Sequence, residues 1–145
     1  MPTKVTTGSP ARVLARLARI VESSLGESDL SLPQYRLLAF LSQGDWAASA
    51  LADRLDVSRP SITSLVDGLV KRGLVERRPD VDDRRRIDHV LTDAGRQALE
   101  AADQAADAAI TAVFADFDAD VATHAHTALC RLHEAMDQRL KEKLK

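Results

Sequence analysis

Residues 51–91 read LADRLDVSRPSITSLVDGLVKRGLVERRPDVDDRRRIDHVL, and this stretch decides the fold. It spells a short helix, a tight turn, a second helix and an arginine-tipped hairpin. In the second helix Ile62, Leu65, Val66 and Leu69 recur at helical spacing, which leaves Arg59, Ser61, Thr63, Ser64, Asp67 and Lys71 as its polar remainder. Ser58 suits the N-cap, Pro60 in the first turn has no amide hydrogen to lose, and Gly73 stops the helix. Asp56 occupies the turn, where a left-handed backbone is required. Leu74 to Arg78 and Arg86 to Leu91 are expected as two strands around residues 79–85. Together these elements make a winged helix-turn-helix. An α-helix fits the major groove of B-DNA, where Ser and Thr meet base edges while Arg and Lys neutralise phosphates. The candidate DNA-contacting set is therefore Ser58, Arg59, Pro60, Ser61, Thr63, Ser64, Asp67 and Lys71, with Asp83, Arg84, Arg85 and Arg86 on the wing.

The flanks read as helices. Residues 1–9 are small and polar and are expected to be a mobile tail. A first helix runs from Pro10 to about Leu25, ended by Gly26, with Val13, Leu14, Leu17, Ile20 and Val21 on one face and Arg12, Arg16 and Arg19 on another. Pro33 opens a second helix through Leu41, with Tyr35, Leu38 and Leu41 among its core residues and Ser31 or Leu32 at the cap. Trp46 to Leu55 is expected as the first helix of the helix-turn-helix. Thr92 caps a long helix from Asp93 to about Phe114, and Asp118 begins a last one. The predicted class is mainly α with a small β-hairpin wing, its DNA-binding lobe spanning 31–92 and its helical dimerisation region spanning 10–30 and 93–145. Spare apolar faces on the terminal helices argue for a homodimer, with Val13, Leu17, Ile110, Val113, Leu129, Leu132, Met136 and Leu140 as the candidate contacts.

Composition narrows the function. The chain has 145 residues, 45% hydrophobic and 29% charged, as expected of a soluble globular domain. Only 3% are aromatic, which disfavours stacking on single-stranded nucleic acid. The net charge of −2 is unusual for a DNA binder, but charge is segregated: Lys71 to Arg86 holds seven basic residues against four acidic, whereas Gln97 to Cys130 holds no Lys or Arg. No apolar run is long enough to span a bilayer and no signal peptide is legible, so the expected location is the cytoplasm, with no membrane partner. Neither a phosphate loop nor a nucleophile or metalloprotease motif occurs, so no catalytic residue and no cofactor is expected. His124, His126 and His133 are poorly spaced to share an ion, so no metal is expected either. Cys130, the single cysteine, is expected as a buried structural thiol.

Leu51-Ala52, Val57-Ser58, Leu69-Val70-Lys71-Arg72-Gly73-Leu74-Val75, Asp83-Arg84-Arg85 and Leu91-Thr92-x-x-Gly95-Arg96, in that order, resemble the multiple antibiotic resistance regulator (MarR) family. The resemblance implies a triangular homodimer whose terminal helices dimerise and whose recognition helices read a palindromic operator. It implies that Arg85 enters the minor groove while Asp83 holds the loop, and that the protein is a ligand-responsive transcriptional regulator, a repressor by expectation. A small aromatic or anionic effector would lie between lobe and dimer helices, where Arg16, Tyr35 and Trp46 are the candidates. The chain departs from the family pattern at Asp56, often Gly, and at Ser64, often Arg, which shifts the burden of specificity to Ser61, Thr63 and the wing. Arg12, Arg16 and Arg19 are open between a solvated stripe, pairing across a dimer, and an anion cleft. A winged-helix module that binds protein instead of DNA, and a redox regulator acting through Cys130, are the rival readings.

Overall fold

The computed structural model describes residues 8–143, apart from the side chains of Leu140, Lys141 and Lys143. Residues 1–7 of the expected tail, and the expected contact of the Leu140 side chain, thus lie outside the described residues. Helix α1 (Pro10–Ser24) runs into a 3-10 turn over Leu25–Ser28, and the chain reverses at Asp29, in the left-handed region with φ 54°. Gly26 therefore sits within the turn instead of ending the helix. Helix α2 (Leu32–Leu41) starts one residue before Pro33 because a capping box fixes it there. The Ser31 hydroxyl accepts from the Gln34 amide at 3.3 Å, and the Ser31 amide donates to Gln34 Oε1 at 3.0 Å.

Trp46 and Ala47 correct the sequence expectation. They form a short strand β1 (Trp46–Ala47), not the first turn of a helix, and helix α3 (Ala48–Leu55) starts after them. The cause is long-range, since β1 pairs antiparallel with a later strand at Trp46↔His89 and Ala47↔Asp88. Asp56 then takes the left-handed conformation that the turn demands, φ 54° and ψ 49°.

Helix α4 (Arg59–Lys71) is capped by Ser58, whose hydroxyl accepts from the Ser61 amide at 3.3 Å. Strands β2 (Val75–Pro79) and β3 (Ile87–Leu91) form the wing in the register Val75↔Leu91 to Pro79↔Ile87. With β1 the sheet is three-stranded, in the order β1-β3-β2, so the wing is more than the expected hairpin. Helices α5 (Asp93–Val113) and α6 (Ala119–Lys143) complete the chain, with Phe114 capping α5 and Asp118 preceding α6.

The core joins these pieces. Leu25, Leu37, Leu38, Leu51, Ile62, Leu69 and Leu91 are fully buried, so the 3-10 turn, α2, α3, α4 and β3 share one apolar interior with α1 and α5 against its side. The Leu91-Thr92-x-x-Gly95 segment welds wing to α5. Thr92 Oγ1 donates to the Gly73 carbonyl at 2.7 Å and accepts from the Gly95 amide at 3.0 Å, while the Thr92 amide donates to the Leu74 carbonyl at 3.2 Å. Gly95 lies so close to β2 that a Cβ there would stand 2.0 Å from the Leu74 carbonyl oxygen. The terminal helices and the turn between α5 and α6 leave apolar groups in water: Val13, Leu14, Val113, Phe117, Val121, Leu132 and Met136 are all exposed. Cys130 is exposed as well, which corrects the expected buried thiol; its sulfur faces Nε2 of His126, one helical turn earlier, at 3.7 Å.

Candidate nucleic-acid interface

Helix α4 turns Ile62, Val66 and Leu69 into the core, and this fixes what it presents outward. Arg59, Pro60, Ser61, Thr63, Ser64 and Lys71 are exposed, while Asp67 is half-buried. The hydroxyls are ordered within the helix: Ser58 Oγ and Ser61 Oγ lie 2.7 Å apart, and Thr63 Oγ1 donates to the Arg59 carbonyl at 3.0 Å. The Thr63 hydroxyl thus keeps lone pairs free to accept from a base amino group. Arg72 is not part of this surface. Its guanidinium donates to the Asp29 carbonyl at 2.6 Å, which ties the end of α4 to the 3-10 turn.

The wing arginines divide into two kinds. Arg86 is a clamp, its Nε 2.9 Å from Asp88 Oδ1 and 3.4 Å from Asp80 Oδ2. Asp80, which the sequence did not mark, organises the loop by accepting from the amides of Asp82 at 2.8 Å and Asp83 at 3.1 Å. Those two amides hold its carboxyl below the usual carboxylate range, with Arg86 adding to the effect. Asp83 accepts from the Arg85 amide at 3.0 Å, and its carbonyl accepts from the Arg86 amide at 2.9 Å. The loop so braced leaves Arg84 and Arg85 exposed, and among the described residues neither carries an ion pair.

Wing and helix are also tied to each other. Arg77 of β2 pairs with Asp67 of α4, so the half-buried carboxylate of the candidate set is already engaged, while Arg78 pairs with Glu76 on its own strand. The free cations on this face among the described residues are then Arg59, Lys71, Arg84 and Arg85.

The three effector candidates do not converge. Tyr35 lines a cavity of about 600 Å³ between α2, α3 and α6, together with Phe40, Arg54, His133 and Met136. Its hydroxyl donates to Asp103 Oδ1 at 2.6 Å, and burial followed by that carboxylate raises its pKa well above the tyrosine norm. Trp46 lies under Arg54, whose guanidinium carbon is 3.9 Å from the indole centroid. Arg16 is exposed on α1 and is not among the cavity's lining residues. Arg54 was missed because neither helical periodicity nor spacing signals an arginine stacked on a tryptophan from another element.

Helices α3 and α4 joined at Asp56 and followed by the β2–β3 wing define the winged helix-turn-helix class. The three-stranded wing carries the matter further. Residues 28–86 match the model of the MarR family. It is 38% identical over 74 residues, 51% of each chain, to the transcriptional regulator AdcR of Streptococcus pneumoniae. The chain spans about half the length of the curated relatives it matches. Among solved structures it resembles CouR of Rhodococcus jostii RHA1 bound to p-coumaroyl-CoA, with 26% identity and a TM-score of 0.67 over 82% of this chain and 85% of that one. It shares its fold with apo MarR of Escherichia coli, with 21% identity and a TM-score of 0.74 over 87% of this chain and 98% of that one. No helix among the described residues is long and apolar enough to cross a membrane.

Proposed function

We propose that the protein is a sequence-specific DNA-binding transcriptional regulator that acts as a homodimer on a palindromic operator. The observation that carries this reading is the sorting of cations around α4 and the wing: Arg72, Arg77, Arg78 and Arg86 are tied within the fold, whereas Arg59, Lys71, Arg84 and Arg85 stand free. Helix α4 enters the major groove, Ser61, Thr63 and Ser64 read base edges, and Arg85 reaches the flanking minor groove with Arg84 on phosphate. Ser58 and Pro60 fix the start of α4, Asp67 and Asp83 hold their neighbours, and Arg86 braces the wing. Two protomers place their helices in successive major grooves about 34 Å apart. They meet through α1, α5 and α6, where Val13, Val113, Leu132 and Met136 are exposed and Leu17, Ile110 and Leu129 half-buried.

The cavity between α2, α3 and α6 supports a ligand-responsive repressor. Its aromatic lining and the Arg54 guanidinium suit a small aromatic anion, and a ligand there changes the separation of the two recognition helices. CouR, which this chain resembles, is bound to p-coumaroyl-CoA, and this supports an anionic effector with an aromatic group.

A salt titration on DNA from upstream of the protein's own gene tests the main claim. Four free cations per protomer predict a slope of log affinity against log salt near about −7 for the dimer. A flat titration would instead favour a winged-helix module that binds protein through apolar contact.

A further inference from the structure

Among the described residues His89 is the ionisable side chain in the buried class, at 4% exposure, and the DNA-binding reading makes no use of it. Its Nδ1 lies 3.0 Å from the Trp46 carbonyl oxygen. A carbonyl only accepts, so Nδ1 carries a hydrogen, and in the neutral ring that burial favours the lone pair is on Nε2. The backbone of the same two residues forms one of the two register positions that hold β1 to β3. On the other side of β3, His89 stands opposite Arg77, whose guanidinium pairs with Asp67 of α4. A continuous path thus runs from α4 through Asp67, Arg77 and His89 to Trp46, immediately before α3.

We propose that His89 is a proton-operated latch: neutral, it pins β1 and the start of α3 to the wing; protonated, it leaves its seat and frees that edge. A buried cation beside a second cation is costly, so the protonated ring moves to water and its bond to Trp46 is lost. The charged groups acting on the ring are Arg77 from β2, Asp67 from α4 and Asp88 from its own strand. Helices α2 and α3 also pack on β3, but Arg36 donates to the Leu55 carbonyl and Arg54 lies on the Trp46 ring, while β1 brings no ionisable side chain. Burial, reinforced by Arg77, outweighs the bond to Trp46 and the carboxylates of Asp88 and Asp67, and holds the ring's pKa below the usual histidine value. The free ring therefore takes a proton that the latched ring refuses, and the latched form loses stability as pH falls below about 6.5.

The latch concerns the protein alone; its effect on DNA rests on the function proposed above. The chain has one tryptophan, so Trp46 emission reports the edge directly. Emission and affinity for the upstream DNA are measured on the full chain from pH 7.5 to 5.0 at constant ionic strength, for wild type and His89→Gln. The wild type is expected to show an emission transition below pH 6.5 that the variant lacks. Its affinity falls over the same range by up to about tenfold per pH unit for each His89, while the variant stays level. Added positive charge alone would strengthen DNA binding in acid, so the sign discriminates. A wild type without the transition, or a variant that keeps it, overturns the latch. If the variant does not fold, the His89 ring resonances of the wild type decide: titration near 6.5 with an unchanged Trp46 indole signal overturns it. Absence of DNA binding at every pH with the emission transition intact overturns the DNA reading and leaves the latch standing.

Discussion

Replacing Gly95 with Ala tests whether helix α5 is seated on the wing as closely as the geometry requires. In the first turn of a helix this exchange normally helps, by about 0.5–1 kcal/mol, because alanine has less backbone freedom to lose. Here the new Cβ would stand 2.0 Å from the Leu74 carbonyl oxygen and 2.8 Å from Leu91 Cδ1. The first neighbour is backbone, at the residue just before β2 that the Thr92 amide holds in place, so relief requires α5 to move away from that segment by about an ångström. Overpacking of that kind costs roughly 1–3 kcal/mol and occasionally more. With the clash at backbone we place the cost above that range before the helix gain, for a net loss of about 2–3 kcal/mol. At about 2.1 cal/mol/K per residue, a chain of this length has an unfolding entropy near 0.3 kcal/mol/K, so Tm falls by about 7–10 °C. The assay is thermal unfolding by circular dichroism at one fixed protomer concentration, since association would make Tm concentration-dependent. Gly26→Ala is the control, because nothing lies within 4 Å of its Cβ position; it should stay within about 0.5 kcal/mol of wild type. A Gly95→Ala protein as stable as wild type, or a control that falls as far, would refute the reasoning.

Arg85→Ala should reduce the salt slope of the dimer by about 2 and leave wing structure intact, whereas Arg86→Ala should loosen the wing itself; equal amide protection in the two variants would contradict the division of the wing arginines. Thr63→Ala should change sequence preference while leaving the salt slope unaltered, and a uniform loss across all sequences would show that the side chain does not read bases. Ser58→Ala should cost about 1 kcal/mol of stability, measured by denaturant unfolding, through loss of the α4 N-cap. Asp80 has its carboxyl lowered by the amides it accepts from, so its contribution is intact above the ordinary aspartate value near 3.9 and is lost as pH falls through the lower folded value. Amide exchange at Asp82 and Asp83 should follow that loss in wild type and be insensitive to it in Asp80→Asn; identical pH profiles would reject the assignment.

What the sequence made legible is local. Ile62, Val66 and Leu69 repeat at helical spacing, Ser58 is followed by Pro60, and Gly73 ends the helix with φ 71°; each of these signals lies within a few residues of the structure it specifies. Where the chain was misread, the deciding partner was far away. Trp46 and Ala47 become a strand because of His89 and Asp88, which are 43 and 41 positions later and carry no mark that points back to them. Nothing in the sequence marks Asp80 or Asp88, yet these two carboxylates are what remove Arg86 from the free cations. The same holds for the cavity: Arg54 lies on Trp46 only once α3 and β1 have been brought together.

This difference in range also explains why the candidate surface includes residues that the fold already engages. Composition and periodicity identify which side of α4 faces away from the core, and every polar residue on that side then looks available. Availability is settled by ion pairing across elements. Asp67 is spent on Arg77, and that single pair converts a residue expected at the groove into a tie between helix and wing. Because an exposed pair of this kind contributes little to stability, roughly 0–1 kcal/mol, its removal should barely change Tm. Its effect belongs in orientation instead. Asp67→Asn should therefore lower affinity for DNA while leaving unfolding nearly unchanged, and a variant whose affinity and stability fell together would show that the pair holds the fold and not the angle between α4 and the wing.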